Sequence, residues 1–203
     1  MKLYLVRHGE TDVNRIFNHG VSGPMHNEPV TFKEGDDTNI SLNIYGRTQA
    51  EQASKNLPDK IDRFYSSPLL RAKETAEIIA KNKSINPEEI IFSDDLIEYR
   101  QGSLEGLSRE KKKEIAGDKE WGSGPLCNYD YVPWGGDSWK MIYDRLVSFF
   151  ADLKQNNSED GVVVCVTSAG IVRMTYKILF EDKAPGITKH ISIGNGSVHE
   201  FIV

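Results

Sequence analysis

The stretch VVVCVTSAGIVRMTYKIL, residues 162–179, places an apolar strand pattern directly before an apolar helix pattern. Its β-branched start is too continuously apolar for a strand with one solvated face, and it is typical of a central strand in a parallel sheet. Parallel strands need crossover helices that cover the sheet, so the stretch predicts an α/β fold. The strand is predicted at 161–167, and the helix over 169–180.

The N-terminal stretch KLYLVRHGET, residues 2–11, has the same form, an apolar strand with a polar tip. The pattern along the rest of the chain alternates between strands and helices. Strands are predicted at 3–6, 61–65 and 89–92, with two short ones around the turn at 194–196. One helix is predicted at 46–57. A second begins with Ser67 as N-cap and Pro68 in its first position, and a third begins at Asp137.

This alternation predicts a three-layer α/β/α sandwich over a largely parallel, mixed sheet, in one domain over 1–203. In such folds, ligands collect outside the carboxyl ends of the strands. Both quoted stretches end there, so their polar tips are expected to face a common ligand.

The composition excludes several classes of protein. The chain has 203 residues, of which 38% are hydrophobic and 27% charged, as in globular domains. No apolar run approaches the roughly 20 residues of a membrane-spanning helix. A net charge of −5 argues against general nucleic-acid binding. The two cysteines make no disulfide framework, and Cys165 is expected in the core. With no secretory signal pattern, a cytoplasmic location is expected.

The tip at residues 7–9 has residue types suited to an anion. An arginine fork matches phosphate or carboxylate oxygens, and a neutral imidazole is a nucleophile. Alone, a pair such as Arg7 and His8 is more often a surface arginine and a structural histidine than a site. Two further features favour a site: Arg71 lies one turn into a helix that follows a strand, and Glu98 and Glu105 lie in a polar loop.

Six segments together resemble the histidine phosphatase superfamily, also called the phosphoglycerate mutase-like family. They run nearly the whole chain: RHGETDVN (7–14), YGRTQA (45–50), SSPLLRAKETA (66–76), LIEYRQGSLEG (96–106), GGDSWKMIYDRL (135–146) and VTSAGIVR (166–173). The first motif is specific, and its order and spacing with the third and fourth make coincidence improbable.

The resemblance implies a phosphoglycerate mutase-like fold and a role for each matching residue. His8 would accept a phosphoryl group, Arg7, Asn14 and Arg71 would bind its oxygens, and Glu98 would be the general acid and base. The implied reaction is hydrolysis of a small phosphorylated metabolite through a phosphohistidine. No metal or other cofactor is expected, since the five histidines are scattered and lack zinc-ligand spacing.

One position departs from the family. Its members usually have a second active-site histidine before the AGIVR segment, where this chain has Ser168. Losing one preorganised donor typically costs about 10²–10³ in rate. We therefore expect catalysis by His8, Glu98 and Ser168 with impaired turnover. Two alternatives stay open: a protein that binds a phosphorylated ligand without turning it over, and a mutase.

A second departure is a long segment at about 21–40, rich in Gly, Pro, Asn and Asp. Such a composition predicts a loop. Long loops in compact domains are often lids over a site, and equally often surface excursions. Both interpretations are kept for this segment.

Overall fold

A computed structural model describes residues 1–19, 39–107, 109–117, 130–180 and 191–203. Five strands form one sheet in the order β3-β2-β4-β1-β5. β5 is antiparallel to β1, and every other neighbouring pair is parallel. The strands are β1 (Lys2–Arg7), β2 (Arg63–Ser66), β3 (Ile90–Phe92), β4 (Val162–Thr167) and β5 (Val198–Ile202).

Helices cover both faces of this sheet. They are α1 (Asp12–His19), α2 (Ile44–Lys55), α3 (Leu70–Asn82), α4 (Arg109–Ala116), α5 (Trp139–Asn156) and α6 (Ala169–Phe180). Alternate residues of β1 point to opposite faces, as strand geometry requires. Leu3 and Leu5 pack in a core with α5 and α6, while Tyr4 and Val6 pack in a second core with α2 and α3. The predicted three-layer sandwich is confirmed.

The two quoted strands lie side by side at the centre of the sheet. β1 and β4 pair in register from Lys2 opposite Val162 to Arg7 opposite Thr167. The His8 backbone N–H then donates to the Thr167 carbonyl at 2.8 Å. Since the strands are parallel, the residues that follow them, His8 and Ser168, emerge at the same edge of the sheet.

The start of α3 differs from the prediction. Its N-cap is Leu69, with no side-chain cap, rather than Ser67. The Ser67 backbone N–H donates to the Val166 carbonyl at 2.9 Å, and this bond prolongs the strand pairing by one residue. Ser67 is therefore still engaged with the sheet, and its hydroxyl accepts only a long bond (3.4 Å) from the Leu69 N–H.

The C-terminal segment also differs, because it contains one strand instead of two. Residues 191–193 pair with no strand among the described residues, and β5 begins after the Gly-Asn-Gly turn. The Ile193 carbonyl is taken by the Arg7 guanidinium at 2.7 Å, so this segment contributes to the strand tip rather than to the sheet. The polar loop predicted around Glu98 and Glu105 contains two short 3₁₀ turns, Asp94–Leu96 and Gly102–Leu104.

Cys165 is fully buried in the core, as predicted. Cys127 lies outside the described residues, and so does most of the segment at 21–40. In the ranges that the structure describes, no helix combines the length and apolar character needed to cross a membrane.

Candidate active site

The histidine at the tip of β1 is buried and held in one tautomer. His8 is only 4% exposed. Its Nδ1 lies 2.7 Å from the Gly9 carbonyl oxygen. A carbonyl can only accept a hydrogen bond, so Nδ1 carries the proton and Nε2 keeps its lone pair. An imidazole in this tautomer is able to act as a nucleophile through Nε2.

Close backbone approach brings two helices to this tip. A Cβ on Gly9 would lie 2.2 Å from the Gly46 carbonyl oxygen, so only glycine allows α2 to pack here. The Gly9 N–H donates to the Thr75 hydroxyl at 3.1 Å, and that hydroxyl donates to the Arg71 carbonyl at 2.7 Å. These contacts dock α3 against the tip at the turn that carries Arg71.

Two guanidinium groups lie beside the imidazole. Arg71 is only 6% exposed. Burial and the positive charges of Arg71 and Arg7 hold the pKa of His8 well below its ordinary 6.5. Burial also lowers the pKa of Arg7 to about 10, against the attraction of Glu98. At neutral pH the site therefore combines a neutral imidazole with two cations.

The carboxyl group of Glu98 lies at the first turn of α6. Its Oε2 accepts the Gly170 N–H at 3.0 Å, and its Oε1 accepts the Tyr99 N–H at 3.3 Å. A Cβ on Gly170 would lie 2.1 Å from Oε1, so the carboxyl group occupies the space that a side chain would fill. Burial raises the pKa of Glu98 above 4.5, although the Gly170 N–H and Arg71 oppose the rise.

Ser168 lies between β4 and α6 and is 2% exposed. Its carbonyl accepts the Val172 N–H at 3.2 Å, which begins the helix. Its hydroxyl oxygen is buried and has no hydrogen-bond partner within the described part of the chain. Buried hydroxyls are normally paired, so this atom is an exception that the site has to explain.

Asn14 is oriented by a residue that the sequence analysis missed. Its Oδ1 accepts from the Thr11 N–H at 3.3 Å and from Nδ2 of Asn195 at 3.0 Å. Nδ2 of Asn195 also donates to the His8 carbonyl at 3.2 Å. With Oδ1 so engaged, Nδ2 of Asn14 is the group that remains for a ligand. The Gly-Asn-Gly pattern at 194–196 signalled only a turn.

The structure thus brings His8, Arg7, Arg71 and Glu98 into one electrostatically coupled cluster. Glu105, the other loop carboxylate, accepts instead the backbone N–H of Gln101 at 3.3 Å. Across the described ranges, no group of three or more His, Cys, Asp or Glu side chains is arranged to hold a metal ion. The cluster has the components of phosphoryl transfer, namely a nucleophile, paired cations and a proton donor.

Comparison with known proteins gives relatives along almost the whole chain. Phosphoglycerate mutase-like protein 4 of Arabidopsis thaliana is 29% identical over 202 residues, covering 98% of this chain and 78% of that protein. The metal-independent phosphoserine phosphatase of Arabidopsis thaliana is 28% identical, covering 95% of this chain and 74% of that protein.

A solved structure has the same fold. The phosphoserine phosphatase of Entamoeba histolytica, in complex with 3-phosphoglyceric acid, superposes with a TM-score of 0.70 at 26% identity. The match covers 99% of this chain and 90% of that one. The sequence profile of the histidine phosphatase superfamily (branch 1) matches residues 3–203. The chain therefore belongs to the histidine phosphatase superfamily, as its motifs indicated.

Proposed function

We propose that this chain hydrolyses the phosphomonoester of a small metabolite through a phosphohistidine at His8, and that Ser168 slows the reaction. One observation carries the proposal: the buried His8 imidazole is held with Nε2 unprotonated, and the two guanidinium groups whose charges act on it also act on the Glu98 carboxyl group. The named relatives are phosphoserine phosphatases and a phosphoglycerate mutase-like protein, which supports phosphoryl transfer in general.

In the first half-reaction, Nε2 of His8 attacks the phosphorus of the ester. The N–P bond forms as the P–O bond to the leaving group breaks, and Glu98 gives its proton to the departing oxygen. Nδ1–H stays on the Gly9 carbonyl throughout, so the positive charge on the phosphorylated ring is supported by that bond.

In the second half-reaction, a water molecule attacks the phosphorus of the phosphohistidine. The Glu98 carboxylate takes a proton from this water, the P–N bond breaks, and the electron pair returns to Nε2. Phosphate leaves, and the neutral imidazole and the protonated carboxyl group are restored. Each proton that Glu98 loses in the first step is regained in the second.

The arginines and Asn14 supply the electrostatic part. Phosphoryl transfer is catalysed mainly by positioning and by neutralising charge on the phosphoryl oxygens. Arg7 is fixed by its bond to the Ile193 carbonyl, and Asn14 by Asn195, so little reorganisation is needed when the anion binds. Ser168 offers one short, neutral donor where the family resemblance implies an imidazole.

Trapping of the intermediate tests this proposal. Rapid-quench mixing with 32P-labelled phosphoserine, and separately with a general aryl phosphate, should give an acid-labile phosphoprotein in the unmodified chain and in Ser168→His. His8→Ala should give no label. Arg71→Ala should lose labelling, while the exposed Arg63→Ala serves as its control. Absence of label from both the unmodified chain and Ser168→His, with either substrate, overturns the proposal.

A second candidate function is retention of a phosphorylated ligand without turnover. The unpartnered Ser168 hydroxyl favours it, because a site that lacks one strong donor still has two cations for binding. Calorimetry with inorganic phosphate should then give a heat of binding that Arg71→Ala abolishes. A separate assay with an aryl phosphate should detect no release of phosphate. Turnover by the unmodified chain at ordinary enzymatic rates contradicts this candidate. A product assay that separates free phosphate from isomerised phosphoglycerate distinguishes the mutase alternative.

A further inference from the structure

The segment that carries Glu98, residues 96–100, is held through its backbone by other elements. From β4, the Thr167 hydroxyl donates to the Leu96 carbonyl at 2.7 Å. From the residues before α5, the Asp137 carboxylate accepts the Arg100 N–H at 2.8 Å, and the Asp137 N–H donates to the Arg100 carbonyl at 2.9 Å. Both ends of the segment are therefore fixed.

The middle of the segment is held by a side chain that the proposed reaction does not use. Arg145, in the second turn of α5, donates through Nη2 to the Ile97 carbonyl. Ile97 directly precedes Glu98, so a shift of this peptide would move the carboxyl group. Arg145 is partly buried, and its charge is attracted by Asp137, Asp95 and Glu98. Arg145 therefore acts on Glu98 in two ways, through its hydrogen bond to the preceding peptide and through its charge.

We propose that Arg145 is a positioning residue for Glu98, which fixes the peptide before it and places a third positive charge near its carboxyl group. The inference rests on the proposed function, because the task of Glu98 is defined there. Arg145 need not touch the substrate; it acts through the Ile97 carbonyl and through the field at Glu98.

A purely structural role explains Arg145 less well. Its Nε–H is buried without a hydrogen-bond partner within the described part of the chain. Burying a guanidinium with an unpaired donor costs stability, and an apolar side chain of similar size often packs as well or better. The position of the residue is better explained by what it does to Glu98 than by the packing of α5.

Several other charged groups act on Arg145 and Glu98, and a test has to leave these groups unchanged. Glu98 faces Arg7 from β1 and Arg71 from α3. Arg145 faces Asp137 and Asp95 on the attractive side, and Arg100 on the repulsive side. Since Coulomb attraction is mutual, removing the charge of Arg145 destabilises the Glu98 carboxylate. The pKa of Glu98 then rises further, while a lysine at this position keeps most of the charge.

The test compares Arg145→Met with Arg145→Lys, and uses Lys140→Met as a control. Lys140 lies on the same helix, is exposed, and pairs with Asp144, so its loss removes one charge away from the site. Carbon-13 NMR of glutamate-labelled protein, assigned with Glu98→Gln, follows the titration of Glu98 without any need for turnover. We expect the pKa of Glu98 to rise in Arg145→Met, and to change little in Arg145→Lys or in the control Lys140→Met.

Kinetics give the second readout. In Arg145→Met, kcat/KM for an aryl phosphate should fall by up to about 10²-fold, the loss that a misplaced catalytic group produces. The alkaline limb of its pH profile should move upward together with the NMR titration. In Arg145→Lys, the alkaline limb should return to its position in the unmodified chain, and kcat/KM should recover in part. A general loss of helix stability would not produce this recovery.

The outcomes separate the two proposals. An unchanged Glu98 titration in folded Arg145→Met overturns the positioning role, whatever the kinetics show. If the methionine variant does not fold, Arg145→Gln replaces it, and an unchanged titration there has the same meaning. A shifted titration with no phosphohistidine in any variant overturns the proposed function, while the hold of Arg145 on Glu98 stands.

Discussion

The two central strand tips lie at the same sheet edge, yet they are equipped differently. At the tip of β1, the His8 ring is bonded to the Gly9 carbonyl, and the His8 carbonyl receives donors from Asn195 and Gly196. At the tip of β4, the buried hydroxyl of Ser168 has no partner in the part of the chain that the structure describes. The first tip is fixed by its neighbours, while the second keeps an uncommitted donor.

This difference separates two properties of the site. The orientation of the His8 imidazole depends on β1, α3 and the turn before β5, and all of these contacts are made. In the proposed reaction, the stabilisation of transferred charge depends also on the tip of β4, where a short neutral side chain stands. We therefore expect substitutions at the tip of β1 to affect phosphate binding and the ability to react at all. Substitutions at the tip of β4 should affect the rate of turnover.

The largest effect is expected at the first tip. His8→Ala removes the attacking nitrogen and should lower kcat for an aryl phosphate by about 10⁴-fold or more, as loss of a catalytic nucleophile does. Initial-rate measurements of phosphate release test this, with His199→Gln, on β5, as the control histidine. Activity within tenfold of the unmodified chain would show that another group is the nucleophile.

The next effect concerns the second tip. Ser168→His supplies the longer, chargeable donor that the family resemblance implies at this position, and it should raise kcat by about 10²–10³, the usual worth of one preorganised donor. Ser168→Ala should lower it or leave it nearly unchanged, since the hydroxyl is a weak donor. A histidine variant that folds, binds phosphate and is no faster would place the limitation elsewhere.

A third prediction concerns the carboxyl group that links the second tip to the loop. Gly170→Ala places a methyl group where Oε1 of Glu98 lies, 2.1 Å from the ideal Cβ position. Glu98 must move, and kcat/KM should fall by up to about 10²-fold. Ala169→Gly, one residue earlier, controls for changes in helix propensity. Equal losses in both variants would contradict the steric explanation.

The smallest effect is expected in the pH profile of the unmodified chain. In the proposed reaction His8 acts only when unprotonated. Its pKa lies below 6.5, so activity should be lost on acidification only below that value. Glu98 would act first as an acid, and its pKa lies above 4.5, so activity should decline towards alkaline pH. Both shifts enlarge the fraction of molecules that have neutral His8 and protonated Glu98 together.

Glu98→Gln identifies the alkaline limb of this profile, because it should remove that limb and keep the acid one. Rates of phosphate release between pH 4 and 9 provide the measurement. An alkaline limb that persists in the glutamine variant would assign it to a different group.

The sequence was sufficient for the layers of the fold. The apolar runs around Val164 and Leu5 are local patterns, and they predicted central strands and covering helices that the structure confirms. It was also sufficient for the family, whose motifs lie in continuous segments. The catalytic and binding roles of the predicted residues stay predictions for the experiments above.

The sequence was insufficient where a contact joins distant segments. Asn195 bonds to Asn14 across 181 residues, and the Gly170 N–H bonds to Glu98 across 72 residues. No local pattern encodes such pairs. The predicted start of α3 was wrong for the same reason. Ser67 has the propensity of an N-cap, but its backbone N–H donates to the Val166 carbonyl of β4.

The turn at residues 193–197 has a consequence for biosynthesis. The carbonyl that anchors the Arg7 guanidinium and the amide that orients Asn14 both belong to this turn, more than 180 residues away from their partners. During vectorial translation, a ribosome-bound nascent chain therefore carries the His8 motif long before the groups that fix it have been made. The hydrogen bonds that fix Arg7 and Asn14 can form only once this late segment has emerged from the exit tunnel.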